Sequence, residues 1–422
     1  MFETIRRAFK LKELRQRIFF TLFLFILFRL GTYIPVVGID RTQISNMLTQ
    51  GGFLALMDLF SGGGYTNFSI FALSVFPYIN ASIIIQLLSY VIPSLEELVK
   101  EGGDEGQRKI ARYTRYLTVA LGMLQAFSVI VIFRNYLVNQ SILLKIVIMA
   151  SLLAGSYIVL WLGEIMTERG IGNGVSLIIF AGIISRIPVS FAEVWQLITV
   201  KSLSVWSLIG EVLGVLVLLI LVIYAYQSER RIPVQYAKRI VGRKVYGGQT
   251  TYIPLRLIQA GVLPIIFAVS FMAFPATIGQ FWPNSWFNTR VAKPIFGTPT
   301  GIWYNLIYFF LIVGFTYFYT EMTYDPLKLA DDLKKYGGFI PGIRPGESTS
   351  QYISTVLRKI TLPTSIFLGL VAIAPNLVFR QMTVTSFVFG GTSLLIIIGV
   401  ALETMREVEA YLLMRQYEGF LK

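Results

Sequence analysis

Few residues of this chain could carry out covalent or metal chemistry. The 422 residues include neither cysteine nor histidine, which excludes thiolate nucleophiles, imidazole bases and the usual zinc ligands. Serine and threonine are plentiful in the apolar stretches, but no histidine or deep lysine is present to activate them. We therefore interpret them as hydrogen-bonding groups between helices. With no GxxxxGK[ST] loop for nucleotide phosphates, the sequence predicts no catalytic residue, no metal site and no cofactor.

Ionisable groups at membrane depth are the other candidates for chemistry, because pumps and ion-coupled carriers hold a proton or an ion there. Arg29 is the clear example, since Glu211, Glu321 and Glu403 fall near the ends of apolar runs. Arg29 could line an aqueous path, but a snorkelling or satisfied buried cation is the more frequent situation. A secondary transporter of a small solute, with inverted repeats, is therefore weakened as a hypothesis and remains the alternative.

Long apolar runs must position these groups. Hydrophobic residues make up 55% of the chain and charged residues 14%, which is more apolar surface than a soluble domain can bury. We predict an all-α integral membrane protein that forms one helical bundle. The ten runs long enough, or nearly so, to cross a bilayer fall near residues 18–37, 70–92, 116–133, 144–163, 174–187, 207–226, 257–278, 302–320, 360–375 and 384–402.

The distribution of lysine and arginine predicts the orientation of these runs. With a cytoplasmic N-terminus, 28 of the 37 cations lie on the cytoplasmic side, 8 lie on the other side, and Arg29 lies inside the first run. The positive-inside rule then puts both termini in the cytoplasm, so we expect a multi-pass membrane protein whose N- and C-termini lie on the same side. The stretch RRAFKLKELRQR precedes a first run without a small-residue cleavage site, so we expect that run to be retained.

An odd number of crossings reverses the chain, so two groups of five helices would have opposite orientations. We expect an N-terminal half at residues 1–190 and a C-terminal half at 191–422, although no tandem repeat is visible. Between the first two runs, GGFLALMDLFSGGG (51–64) is too short to cross and has glycines at both ends. It is equally consistent with a helix that re-enters the bundle and with one that lies on the membrane surface.

The second run contains Ile79 and Ile83 one helical turn apart. Isoleucines on a spanning helix usually face lipid, but on a shared axis they would close a pore to water by dewetting. Two long loops in the second half, 227–256 and 321–359, are basic and rich in turn residues. In the first of these loops, Gly242 suggests a hairpin tip. In the second, GGFIPGIRPGE holds Arg344 on a shaped turn, and both loops could carry excess positive-inside charge or dock an anionic partner.

Several long motifs resemble the SecY family of channel-forming subunits of the bacterial protein translocase. They occur in order over nearly the whole chain and are FSGGG, FALSVFPYINASIIIQLL, EGGDEGQRKIARYTRY, WLGEIMTERGIGNGVSLIIFAGI, QYAKRIVGRKVYGGQTTYIPL, AGVLPIIFAVSFMAFPATI, GFIPGIRPGEST and FGGTSLLIIIGVALE. The resemblance implies two five-helix halves around an hourglass pore. Such a channel passes unfolded secretory polypeptides across the membrane and releases hydrophobic segments laterally into lipid.

The resemblance also implies roles for individual residues. The pore ring would consist of Ile79, Ile83, Val175, Ile179, Ile266 and Ile396. The plug, at about residues 53–61, would include Leu54, Leu56, Met57, Leu59 and Phe60. The lateral gate between the second and seventh runs would include Gln86, Ser270 and Phe274. Docking contacts for the motor ATPase SecA and for the ribosome would be Arg239, Arg243, Lys244 and Arg344.

A channel of this kind also implies partners that supply subunits, substrate and energy. The resemblance predicts SecE and SecG subunits, SecA, the ribosome, signal peptides, nascent polypeptides and membrane lipids. The chain itself is expected not to be an enzyme, so the energy for transport would come from SecA or the ribosome.

Overall fold

The computed structural model of the chain describes residues 2–39, 53–100, 102–199, 205–236, 239–241, 244–246, 250–282, 284–299, 301–378 and 390–420. The α-helices in these ranges are α1 (Phe2–Lys10), α2 (Lys12–Gly31), α3 (Phe53–Phe60), α4 (Phe76–Val91), α5 (Pro93–Lys100), α6 (Gly103–Ile132), α7 (Ile142–Arg169), α8 (Gly174–Thr199), α9 (Val205–Gln227), α10 (Leu263–Phe281), α11 (Ile302–Thr323), α12 (Pro326–Lys335), α13 (Glu347–Val378) and α14 (Gly391–Phe420). A 3₁₀ turn (Arg134–Tyr136) and a π-helix (Asn288–Phe296) complete the helical part.

Each of the ten predicted apolar runs overlaps one of these helices, and the predicted all-α class is confirmed. Six helical segments in the described residues are long and apolar enough to cross a bilayer, or seven if the bent pair α4 and α5 is taken as one span. Helices α2, α9 and α14 account for the remaining runs. The count of ten crossings stays a prediction.

Proline determines where two of the helices end and begin. Ile92 is extended (φ −101°, ψ 111°), as expected for a residue before proline, so α4 ends there and α5 leaves at an angle of 107°. Helix α12 begins with Pro326 after Asp325, whose side chain accepts hydrogen bonds from two backbone N–H groups of the first turn. Both features are favourable helix starts.

The main hydrophobic core joins helices from both halves of the chain. The irregular segment 61–75 is buried in this core, where Phe68 meets Phe133 edge to face with ring centroids 5.5 Å apart. Helix α7 approaches this segment so closely at Gly155 that a Cβ there would lie 1.8 Å from the carbonyl oxygen of Ile70. A residue with a side chain at 155 would therefore push the segment away from α7.

The two predicted basic loops form one unit with a small core of its own. Strand β1 (Glu229–Tyr236) pairs antiparallel with β4 (Thr250–Arg256) on one side and with β5 (Gly338–Phe339) on the other. A second two-stranded sheet joins β2 (Arg239–Val241) to β3 (Lys244–Tyr246). The buried side chains that hold the unit together are Ile232, Val234, Leu255, Leu333, Ile340, Ile353 and Leu357.

Candidate functional site

Three members of the predicted pore ring line one small cavity in the core. Ile179 comes from α8, Ile266 from α10 and Ile396 from α14, and Phe60 at the end of α3 closes the same space. Two lining residues that the sequence analysis did not name complete it, Phe76 and Val269. The structure therefore brings together side chains that are more than 300 positions apart in the sequence.

This cavity is too small and too apolar to hold water stably. Its volume is about 10 Å³, which is near the minimum for one water molecule, and a buried water needs two to four polar partners. The side chains that line the cavity are hydrocarbon, so they offer no such partners. The arrangement is a dry contact between α3 and four helices of the bundle, α4, α8, α10 and α14.

The other predicted ring members lie outside this cavity. Ile79 and Ile83 on α4 are buried in the same core rather than exposed on the outer face of the bundle. Val175 is half-buried and lies against α7. A Cβ added at Gly163 of α7 would be 3.4 Å from Val175 Cγ2. The roles of all six residues as a ring stay predictions.

Helix α3 lies inside the bundle, not on its surface. Met57, Leu59 and Phe60 are buried, and Leu54 and Leu56 are partly buried. The side chain of Phe53 lies outside the described part. Helix α3 therefore matches the re-entrant alternative in position, while its role as a plug stays a prediction.

Glycines allow α3 to fit closely against α8. A Cβ at Gly182 would lie 2.4 Å from the carbonyl oxygen of Phe60. Gly62 and Gly63 follow α3 with φ of +68° and +91°, a left-handed region that favours glycine. Gly62 and Gly63 thus end helix α3, and Gly182 allows it to pack closely on α8.

Helix α3 is also fixed by a charged group that the sequence analysis missed. Asp58, with a side chain only 3% exposed, forms an ion pair with Arg186 of α8 at 3.1 Å. Its two carboxylate oxygens also accept hydrogen bonds from the backbone N–H and the hydroxyl of Thr66, each at 2.7 Å. A lone acid within an apolar helix signals such a pair, because an unpaired buried charge is costly.

Arg29 contributes a second attachment at the same place. Its guanidinium donates to the carbonyl oxygen of Gly62 at 2.6 Å, to Ser185 Oγ at 3.2 Å and to the hydroxyl of Tyr33 at 2.6 Å. Arg29 is therefore a satisfied cation bound to the turn after α3. We refer to Arg29, Asp58 and Arg186 together as the α3 latch.

The predicted lateral gate contains an unexpected partner, helix α11. Gln86 Oε1 on α4 accepts a hydrogen bond from the hydroxyl of Tyr319, while Gln86 Nε2 donates to Ser82 Oγ at 3.0 Å. One turn further along α4, the ring of Tyr90 lies 4.9 Å from that of Phe318. We call the contact of α4 with α10 and α11 the seam. Near one end of the seam, α4 therefore contacts α11 through specific polar and aromatic pairs.

The two predicted gate residues on α10 have different environments. Ser270 is buried and its Oγ has no hydrogen-bond partner among the described residues, whereas Phe274 is 40% exposed. Helix α10 also packs against both α4 and α6. At the α6 contact the rings of Phe127 and Phe281 stack 5.7 Å apart.

A cavity of about 30 Å³, lined by both polar and apolar side chains, lies between α4 and α10 beside α3. Its polar side chains come from α4 (Asn80), α6 (Gln125 and Ser128) and α10 (Thr277 and Gln280). Leu54 and Met57 of α3 line the same space. Movement of α4 away from α10 would therefore open the wall that holds α3.

Of the four predicted docking residues, Arg344 lies on the turn before α13, and Arg239 and Lys244 lie on strands β2 and β3. Arg344 is exposed, and its carbonyl oxygen accepts a hydrogen bond from Thr349 Oγ1 at 2.9 Å. Gly342 and Gly346 have φ of +83° and +100°, so their conformations favour glycine. The turn is thus anchored while the guanidinium faces solvent.

Strands β2 and β3 pair with each other and carry two of the predicted docking residues. Arg239 begins β2 and Lys244 begins β3, with Val241 paired to Lys244. Their side chains, together with Gly242 and Arg243 at the predicted tip, lie outside the described residues. The described residues contain no cluster of three or more acidic side chains that could hold a metal ion.

Comparison with known proteins agrees with the sequence motifs. The SecY family model matches residues 69–405. Protein translocase subunit SecY of Streptomyces scabiei is 42% identical over 446 residues, which cover 100% of both chains. A SecY structure whose plug domain stabilises the closed state of its channel has a TM-score of 0.66, 19% identity, and coverage of 94% of this chain and 92% of its own.

The canine Sec61 channel in its ribosome complex has a TM-score of 0.65 and 16% identity, again with coverage of 94% of this chain and 92% of its own. At these identities the two structures establish the fold, while the family match and the full-length relative establish descent. Together with the buried α3 and the apolar contact around it, these comparisons show that this chain belongs to the SecY family.

Proposed function

We propose that the structure is the closed state of a protein-conducting channel. The channel translocates unfolded secretory polypeptides across the cytoplasmic membrane and releases hydrophobic segments laterally into lipid. The observation that carries this proposal is the dry cavity, where Ile179 of the first half meets Ile266 and Ile396 of the second, with Phe60 of α3 against them. An apolar contact between two halves can exclude water while closed and can widen when the halves separate.

A stalled secretory polypeptide tests this proposal directly. A photocrosslinking amino acid at Ile83, which is buried on α4, should label the polypeptide during translocation. The same group at Ile220, which is exposed on the outer face of α9, should label lipid instead. Equal labelling of the polypeptide from both positions, or none from Ile83, would overturn the assignment.

Helix α3 supports a mechanism for keeping the channel closed. The α3 latch binds the helix to α2 and α8, both in the first half. Phe60 reaches the residues of the second half at the dry cavity. We infer that α3 is the plug, that it stays attached to the first half, and that it loses its contacts with α10 and α14 when the halves separate.

The seam between α4 and the pair α10 and α11 supports the lateral gate. A signal helix that enters lipid from the pore must part these helices, because they close that side of the core. The Gln86–Tyr319 hydrogen bond and the Tyr90–Phe318 ring contact would break during that movement. Ser270 and Phe274 lie on the facing helix and would then contact the signal peptide.

The basic sheet unit supports docking of a driving partner. Cations of both loops are held on one folded unit, because β1 pairs with β5. Since the ribosome contains RNA phosphates and SecA can present acidic side chains, both partners match this charge. We propose that Arg239, Arg243, Lys244 and Arg344 contact them, and that SecE and SecG complete the membrane complex.

The proposed orientation places this unit in the cytoplasm, with both termini on the same side. The excess of positive charge supports that orientation, and the halves 1–190 and 191–422 would then be inverted with respect to each other. The transporter alternative is not supported, because the relatives are translocase subunits. Arg29, which could have lined an aqueous path, donates a hydrogen bond to the turn after α3.

A further inference from the structure

We propose that a cavity between α11 and α13 binds the head group of a zwitterionic phospholipid of the phosphatidylethanolamine type. The cavity has a volume of about 200 Å³, several times the volume occupied by one water molecule. It is separate from the pore and from the seam described above. Its walls are formed by Tyr317, Thr320, Glu321, Tyr324, Pro326, Ser354, Leu357, Arg358 and Thr361.

The position of the cavity along the helices matches the head-group layer of a bilayer. Glu321 follows the end of the apolar run 302–320, and Arg358 precedes the start of the run 360–375. Both charges therefore lie where the helices leave the hydrocarbon region. Deeper in the bundle the two helices are closely packed, since a Cβ at Gly369 would lie 2.5 Å from the ring of Phe309.

The charges in the cavity favour a ligand that carries both signs. Glu321 and Arg358 line the same space, yet no hydrogen bond or ion pair joins these two described residues. A guanidinium binds phosphate oxygens through paired N–H donors, and a carboxylate accepts from a primary ammonium. A phosphoethanolamine group contains both partners a short distance apart, so it can neutralise both side chains at once.

Hydroxyl groups add acceptors for the ammonium. Thr320 Oγ1 donates to the carbonyl oxygen of Thr316, and Thr361 Oγ1 donates to that of Leu357. Because their protons are used within the helices, these oxygens are left with lone pairs toward the cavity. A primary ammonium has three N–H donors for them, whereas a quaternary choline ammonium has none.

The surface below the cavity suits acyl chains. On α13, Leu362, Ile366 and Leu370 continue the helical face of Arg358 at intervals of four residues and are 54%, 39% and 53% exposed. On α11, Leu306 and Phe310 are 45% and 62% exposed. An apolar ridge therefore descends from Arg358 on α13, and exposed apolar side chains of α11 lie deeper on the other side, so acyl chains would cover surfaces that a free phosphate ester would leave uncovered.

The test uses the purified full-length translocon complex in detergent, titrated with photoactivatable phosphatidylethanolamine. Crosslinked peptides should come from residues 317–326 and 354–361. Arg358→Gln should reduce crosslinking by about tenfold or more, because the paired charge-assisted hydrogen bonds of the guanidinium are lost. The matched control Lys359→Gln, an exposed neighbour outside the cavity, should have no effect.

A second measurement tests the role of Glu321. It compares the crosslinking of two lipids, so it does not depend on the stability of the variant. The wild type should prefer phosphatidylethanolamine over phosphatidylglycerol, which has a phosphate but no ammonium. Glu321→Gln should abolish that preference, because the carboxylate that attracts the ammonium and repels a net anion is gone, whereas Glu347→Gln should retain it. Soluble phosphoethanolamine should compete only weakly, since it leaves the apolar ridges exposed.

Three results would overturn the proposal. Equal crosslinking of the two lipids to the wild type would show that the cavity does not select for the ammonium group. Unchanged crosslinking in Arg358→Gln would remove the role of the guanidinium, and complete competition by soluble phosphoethanolamine would identify a site for a free phosphate ester instead of a lipid. None of these measurements depends on translocation, so failure here leaves the proposed channel function unaffected.

Discussion

Ile266 and Ile396 line a small cavity that offers no partner to water, and in the proposed channel these apolar side chains would contribute to the seal. We predict that the double change Ile266→Asn and Ile396→Asn hydrates the constriction and raises ion conductance across vesicles that contain the resting complex. Each buried amide without a partner should also cost about 1–3 kcal/mol of stability.

The matched control is Ile266→Val with Ile396→Val, which keeps the surface apolar and costs about 0.5–1.5 kcal/mol per site. Its conductance should equal that of the wild type. If the asparagine variant folds and its conductance also stays at the wild-type level, these two side chains do not form the seal.

Asp58 allows the α3 latch to be tested separately from the seal. Asp58→Asn removes the charge from a nearly buried ion pair and leaves Arg186 unpaired, so we expect a loss of about 1–3 kcal/mol. Export of substrates with defective signal sequences should increase, because the helix leaves its site more easily. Glu105→Gln, in the exposed pair with Lys109 at 3.1 Å, should change neither stability nor export measurably.

Different residues of the site were accessible to sequence reasoning to different degrees. Ile179, Ile266 and Ile396 were predicted from the family motifs, and the structure places them around one cavity. Asp58 could have been inferred from a single charge among apolar residues. The positions of Phe76 and Val269 at this cavity could not have been inferred. Buried apolar residues in a membrane helix look the same in sequence whether they face the pore axis or a neighbouring helix.

At the scale of elements, the contacts between α4 and α11 extend the proposed gate beyond the two helices that the sequence predicted. Tyr319→Phe removes the hydrogen bond to Gln86 and leaves its carbonyl oxygen without that donor. We expect the closed seam to lose about 0.5–1.5 kcal/mol, which corresponds to a shift of up to about tenfold toward the open state. The measurement is the rate of translocation of a preprotein with a weakened signal sequence.

A double-mutant cycle separates this hydrogen bond from general loosening of the seam. Gln86→Leu and Tyr319→Phe each remove the same pair, so the double variant should show much less than the sum of the single effects. Additive effects would mean that the two residues act independently and that α11 has no specific role in the gate.

The sheet unit shows which elements sequence patterns could not predict. The apolar runs identify helices because each run is a local signal, and the predicted hairpin near Gly242 is local too. The pairing of Gln235 with Phe339 joins residues more than 100 positions apart, and β5 contains only two residues. Such pairing depends on how the helices bring the loops together, which no local pattern contains.

For the whole molecule, packed side chains connect the exposed Arg344 turn to the membrane helices, and the proposed driving partner could act on the proposed pore through this connection. The turn that holds Arg344 is attached to the small core through Ile340 and Ile343. The same core includes Leu357 of α13, a helix that continues into the membrane and packs on α11. We propose that a force on the Arg344 turn reaches α13 and α11 through these packed side chains, and α11 carries Tyr319, which bonds to Gln86.

This connection leads to a prediction about the driving partner. Arg344→Glu reverses the charge of an exposed guanidinium on an anchored turn, so we expect ATP-driven translocation by SecA to fall strongly while the resting conductance stays unchanged. Arg344→Lys should be intermediate, because it keeps the charge but loses the planar fork that binds a carboxylate with two hydrogen bonds.

The control is Lys359→Glu, which reverses another exposed cation of the same loop and therefore has the same effect on net charge and on the positive-inside bias. Equal amounts of wild type and variants in vesicles should be compared at several salt concentrations. A contact with a carboxylate loses strength as salt rises, so the defect of Arg344→Glu should shrink at high salt. If Lys359→Glu impairs translocation as much as Arg344→Glu does, the total charge of the loop matters and the anchored turn has no special role.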